Sequence, residues 1–133
     1  MSALIEEFKK EHSEIVDALK EVKALGILTK EGQAKLMSVK PSLIEHLSKE
    51  DEKLYPVLRK EAEQNRKLKA DLEVFAKDLE DVSGFVLGFL DKYNKGLLRA
   101  RLLRGFKTLN IVLLNRMRNE EKFLYDAYDK IAQ

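Results

Sequence analysis

Cysteine is absent from the chain, which excludes a disulfide framework, a thiolate metal site and a cysteine nucleophile. Only two prolines and six glycines interrupt the 133 residues, a scarcity that favours long helices with short connections. Long apolar runs are also missing. The longest, from Phe85 to Leu90 and from Ile111 to Leu114, are core-sized and fall well short of the ~20 residues needed to span a bilayer. The opening residues, MSALIEEFKKEH, are charged and carry no apolar h-region, so a secretory signal is not expected and a cytoplasmic location is. Nor is one sign of charge in large excess: 25 basic residues face 23 acidic ones, a net charge of +2.

What is present is amphipathic helix. Leu4, Ile5, Phe8, Ile15, Leu19 and Val22 recur every three or four residues, and His12 continues the same stripe. They predict a first helix over residues 2–24, stopped at Gly26. Thr29 with Glu31 and Gly32 reads as the cap of a second helix running to residue 63, kinked near Pro41. A break at Asn65 precedes a third helix over 66–92, with Leu68, Leu72, Phe75, Leu79, Val82 and Val86 on its apolar face. Gly96 and Gly105 bracket a short basic piece, LLRARLLR, and a last helix follows over 106–131. No segment alternates as a strand does. The expected fold is all-α, an antiparallel up-down-up-down four-helix bundle forming one domain over residues 1–133.

The chain also divides into two similar helical hairpins, about 2–63 and 66–131. HLSKEDEKLYP (46–56) and RMRNEEKFLYD (116–126) align without a gap: Glu50 on Glu120, Asp51 on Glu121, Leu54-Tyr55 on Leu124-Tyr125. In the first and third helices, His12, Ile15, Leu19 and Val22 fall on Leu72, Phe75, Leu79 and Val82. The chain has two histidines, and both lie on apolar stripes. His46 and Glu50 are four apart, so an imidazole and a carboxylate one turn apart can hold the same ion. A lone histidine on an apolar face is more often a hydrogen-bonded core residue. Two of them with inward Glu50 and Glu120 make a stronger case, because a buried carboxylate needs a compensating charge.

These residues resemble the hemerythrin-like, HHE cation-binding family. HLSKEDEKLYP is close to the family's HxxxE-E-x-x-LFP pattern, EHSEI (11–15) to its first-helix EHxxI, and NEEKFLY (119–125) to its last-helix segment. The resemblance implies two irons among four helices, each half supplying one histidine and an HxxxE. Carried over, the metal ligands are His12, His46, Glu50 and Glu120. Leu72 and Arg116 stand where the second half's two histidines are expected, so its site is degenerate. One outcome is a single metal, iron before zinc or manganese, on the four remaining ligands. The other is no metal, with Arg116 turned inward to pair with Glu50 and Glu120; a solvated Arg116 on the helix surface stands beside both. Tyr55 and Tyr125 line the site or simply pack.

The resemblance implies a binding or sensing role for iron, dioxygen or nitric oxide, with a metal-free interaction scaffold as the alternative. An iron-dependent oxidase is a weaker third reading, since no independent catalytic motif is present. Between Lys92 and Asn119 there is no acidic residue, but Lys92, Lys95, Arg99, Arg101, Arg104, Lys107, Arg116 and Arg118. That stretch either faces an anionic partner or is a solvated face balanced by Asp78, Glu80 and Asp81. No nucleic-acid-binding motif accompanies it, and the oligomeric state is open.

Overall fold

The computed structural model describes residues 2–93 and 99–132, with the side chains of Ala76, Asp78, Leu79, Tyr93 and Ala132 set aside. Every regular element among the described residues is helical: α1 (Ala3–Leu25), α2 (Lys30–Lys49), a first π turn (Glu50–Leu54), α3 (Tyr55–Ala62), α4 (Arg66–Tyr93), α5 (Arg99–Asn119), a second π turn (Glu120–Leu124) and α6 (Tyr125–Ala132). The two π turns join α2 to α3 and α5 to α6, so the six segments make four long helices.

The ends of these helices follow from local chemistry. The Ser2 hydroxyl accepts the Ile5 N–H and starts α1, while the Ser2 N–H donates to Asp129 and ties the chain start to α6. Gly26 ends α1 with φ 96°, the only positive φ among the described residues, and its N–H returns to the Val22 carbonyl. Thr29 Oγ1 accepts the Gly32 N–H at 3.0 Å and caps α2. Gly32 has no room for a Cβ, which would collide with the Gly26 carbonyl. Asn65 Oδ1 accepts the Leu68 N–H and opens α4.

The second helix passes Pro41 in α conformation and has a π turn further on, at Glu50–Leu54. One expectation is corrected. Gly105 is not a break: α5 runs through it, because the missing Cβ lets the helix lie against the Phe89 ring of α4. The other bracketing residue, Gly96, and Lys95 lie outside the described residues.

The interior is layered. One apolar cluster joins Ile15, Leu19, Val22, Leu36, Leu43, Leu90, Leu109 and Leu113. A second joins Ile5, Phe8, Leu54, Tyr55, Leu58, Leu68, Leu124 and Tyr125. The buried polar residues are His12, His46, Glu50, Arg116 and Glu120, each at a sequence position between residues of the two clusters. Burial of each large apolar side chain stabilises by roughly 1.5–3 kcal/mol, and these two regions stabilise a polar layer that would be costly alone.

Candidate metal centre

Five helical segments deliver the polar layer. His12 comes from the buried stripe of α1 and His46 from the last turn of α2. Glu50 and Glu120 each open a π turn, and Arg116 lies one turn before Glu120 on α5. In a π turn the N–H bonds five residues back rather than four. The Tyr55 N–H bonds Glu50 and the Tyr125 N–H bonds Glu120, so each tyrosine is brought onto the face that carries its glutamate.

The two halves then interlock. Tyr55 donates to Glu120 Oε2 at 3.3 Å, and Tyr125 donates to Glu50 Oε2 at 2.9 Å. Each tyrosine, standing at the end of one π turn, holds the carboxylate that opens the other. His12 Nε2 lies 3.0 Å from His46 Nε2 and 3.4 Å from Glu120 Oε1, and His46 Nε2 lies 3.3 Å from Glu50 Oε1. One donor atom from each of His12, His46, Glu50 and Glu120 lies within 4.8 Å of all the others, and all four residues are buried.

This donor set fits a metal ion. With bonds of about 2.0–2.2 Å, neighbouring ligand atoms sit roughly 3–3.5 Å apart, and the three close contacts above fall in that interval. His46 Nδ1 faces Glu11 Oε1 at 2.7 Å, which fixes its proton there and leaves the Nε2 lone pair toward the cluster. Lys49 holds the other Glu11 oxygen at 2.7 Å and also reaches Glu7. His12 Nδ1 points to Glu121 Oε1 at a longer 4.0 Å. Among the described residues Glu50 Oε1 is buried without a hydrogen-bond partner, the kind of deficit an ion or water relieves.

Electrostatics reinforce the arrangement. Burial and the adjacent Glu120 charge push the Glu50 carboxyl up, against the pull of His46. Burial opposes ionisation of Glu120, but His12, Glu50 and Arg116 outweigh it and hold Glu120 low. The unlike directions mean that two close carboxylates do not both ionise freely without added positive charge. Burial disfavours charging His46, yet Glu50 and Glu11 raise it above its ordinary value. Burial and the two carboxylates keep both phenols neutral by raising Tyr55 and Tyr125 far above normal.

Arg116 points inward. Its guanidinium lies 3.7 Å from Glu120 Oε2 and 3.8 Å from Glu50 Oε1, and it donates to Ser83 Oγ on α4. Leu72 is half-buried, packs against the second apolar cluster, and shares a surface cleft with Arg116, Tyr55 and Ser83. Sequence reasoning did not identify Glu11 or Ser83 as partners. Glu11 adjoins His12 within EHSEI and had a usable signal there; Ser83 had none.

The basic stretch divides by face. Arg116 is buried, whereas Arg99, Arg101, Arg104, Lys107 and Arg118 are exposed and form no ion pair with described side chains. Glu80 and Asp81 are exposed and do not pair with them; the Asp78 side chain lies outside the described set. No helix among the described residues is long and apolar enough to cross a membrane.

The fold and site define an all-helical protein whose buried histidine–carboxylate cluster can hold a metal ion. Comparison with family models, with curated proteins and with solved structures returns no match to this chain.

Proposed function

We propose that this chain is a hemerythrin-like metal-binding protein, an antiparallel bundle of two repeat-related hairpins that holds one iron per chain for binding or sensing dioxygen or nitric oxide. The observation that carries the reading is the facing of two imidazole Nε2 atoms at 3.0 Å beside two buried carboxylates. Two lone pairs at that distance repel unless a proton or a cation lies between them. The fixed Nδ1 proton of His46 and the two carboxylates favour a cation.

His12, His46, Glu50 and Glu120 hold the ion. Glu11 orients His46, Tyr55 and Tyr125 orient the carboxylates, and the apolar residues on either side exclude water. Iron on such ligands supplies an open position for a small molecule. Arg116 supplies the charge that a second ion would bring, which supports one metal rather than two and disfavours reversible dioxygen carriage by an iron pair.

Elemental analysis of protein purified without chelator or His-tag tests this. About one iron per chain, lost in His46→Ala, is expected. No metal after anaerobic Fe(II) addition sinks the reading.

A second reading rests on Arg116 itself. A guanidinium within 4 Å of both carboxylates already neutralises part of the cluster, so the bundle also works as a metal-free interaction scaffold. That reading expects His12→Ala with His46→Ala to leave cellular function intact; a lost phenotype in the folded double variant argues against it.

A further inference from the structure

We propose that Tyr125 is a fifth ligand of the metal centre, binding a trivalent ion through its phenolate oxygen; this rests on the metal-binding reading above. The tyrosine hydroxyl lies within the donor cluster, 3.0 Å from His12 Nε2 and 2.9 Å from Glu50 Oε2. It therefore touches two of the four candidate ligands at once.

Proton accounting sharpens the placement. A phenol has one proton, and Glu50 accepts it. A histidine bound to metal through Nε2 has no proton there to offer. The Tyr125 oxygen, 3.0 Å from that nitrogen, would then stand among the donor atoms instead of accepting from the ring. The ring is held for this. It is fully buried, stacked on His12 with centroids 5.4 Å apart, and tilted against Phe8 at 5.7 Å.

The repeat supplies an internal contrast. Tyr55 occupies the matching position in the first half, but among the described residues its hydroxyl bonds Glu120 alone, at 3.3 Å. It lies on the side of the cluster where Arg116 stands and borders the surface cleft with it. A guanidinium there is a fixed cation that cannot accept a phenolate ligand. Tyr55 remains a hydrogen-bond donor, and the twofold similarity of the hairpins is broken at the metal.

The chemistry is hard-donor coordination. A bound cation favours the anionic form of an oxygen that touches it, and tyrosine oxygen is an established iron ligand in other protein settings. In the binding step the Tyr125 O–H bond breaks, its proton leaves to solvent, and an oxygen–metal bond forms; no electron is transferred. Two nitrogens and three oxygens then leave one position of an octahedral ion for a small ligand.

The test uses the full chain loaded with Fe(II) anaerobically and then oxidised in air, with iron per chain measured on the same sample. A phenolate-to-iron absorption band in the visible, with tyrosinate vibrations in resonance Raman, is expected. Tyr125→Phe is expected to keep its iron and lose the band, whereas Tyr55→Phe keeps both. Circular dichroism checks the fold of each variant. If Tyr125→Phe does not fold, the Raman signature in wild type together with its persistence in Tyr55→Phe decides the matter. Iron-loaded wild type without tyrosinate vibrations, or a band that survives Tyr125→Phe or vanishes in Tyr55→Phe, overturns the assignment. A wild type that takes up no iron overturns the metal reading beneath it.

Discussion

At the scale of single residues, the centre is a balance of charges in a low-dielectric interior, and Arg116 is its fixed term. Removing it takes from Glu50 and Glu120 the fixed cation within 4 Å of both. Loss of one partner from a buried pair costs about 3–5 kcal/mol, so metal-free Arg116→Leu should lose stability of that order in urea denaturation. A loss under 1 kcal/mol would show that the guanidinium is not needed. Placing histidines at positions 72 and 116 tests the same residue from the opposite side. Leu72 and Arg116 border one cleft, and the double change Leu72→His with Arg116→His should raise the metal count from one per chain toward two.

Glu11 makes a separate prediction. It holds the Nδ1 proton of His46 at 2.7 Å, and loss of such a partner typically lowers metal affinity 10–100-fold. Glu11→Gln should weaken Fe(II) binding by that factor in a competition titration. The pH dependence follows from His46. Metal and proton compete for its Nε2, and the cluster raises its proton affinity above the ordinary value of 6.5. Metal affinity should therefore fall as pH drops, and begin to fall above 6.5; an affinity constant from pH 8 to 6 would contradict this.

The buried His12, His46, Glu50 and Glu120 cluster was legible in the sequence, because histidines on apolar stripes and an HxxxE spacing place donors on one helical face. Arg116 was ambiguous, since nothing in RMRNEEK says which face turns inward. The repeat pointed to Tyr55 and Tyr125 as lining the site, but which carboxylate each hydroxyl meets was not legible. In an α-helix a residue five after Glu50 sits well away from its face, and only the π turn brings Tyr55 back.

At the scale of elements, those π turns are the devices that set the site. Both begin on a glutamate and end just before a tyrosine, at matching places in the repeat. The α-helical period describes the flanking segments well and fails there, because one extra residue per turn leaves no compositional mark. Glycine was misread for a related reason: Gly105 serves packing against Phe89, not chain reversal. Its neighbourhood predicts opposite outcomes for two substitutions. A Cβ at Gly84 meets nothing within 4 Å, so Gly84→Ala should stabilise α4 by about 0.5–1 kcal/mol through helix propensity. Gly105→Ala pushes a methyl into the Phe89 ring, and overpacking of about 1–3 kcal/mol should outweigh the same gain. Thermal melts of the two variants should move in opposite directions.

At the scale of the whole molecule, residues of two apolar clusters flank a charged layer, and a bound ion should couple that layer to folding. A ligand that binds only the folded state stabilises by about 2.7 kcal/mol at a hundred times its dissociation constant. Added Fe(II) should raise the melting temperature of wild type and leave that of His12→Ala with His46→Ala unmoved. The four-helix character was legible from periodicity and the shortage of proline and glycine, while the crossed tyrosine–glutamate contacts required the structure. Anomalous diffraction at the iron edge tests the central claim most directly. One peak within about 2.0–2.2 Å of His12 Nε2 and His46 Nε2, with none beside Arg116, is the predicted result. An iron-soaked crystal with no peak there, or with a second peak in the half that holds Leu72 and Arg116, would contradict it.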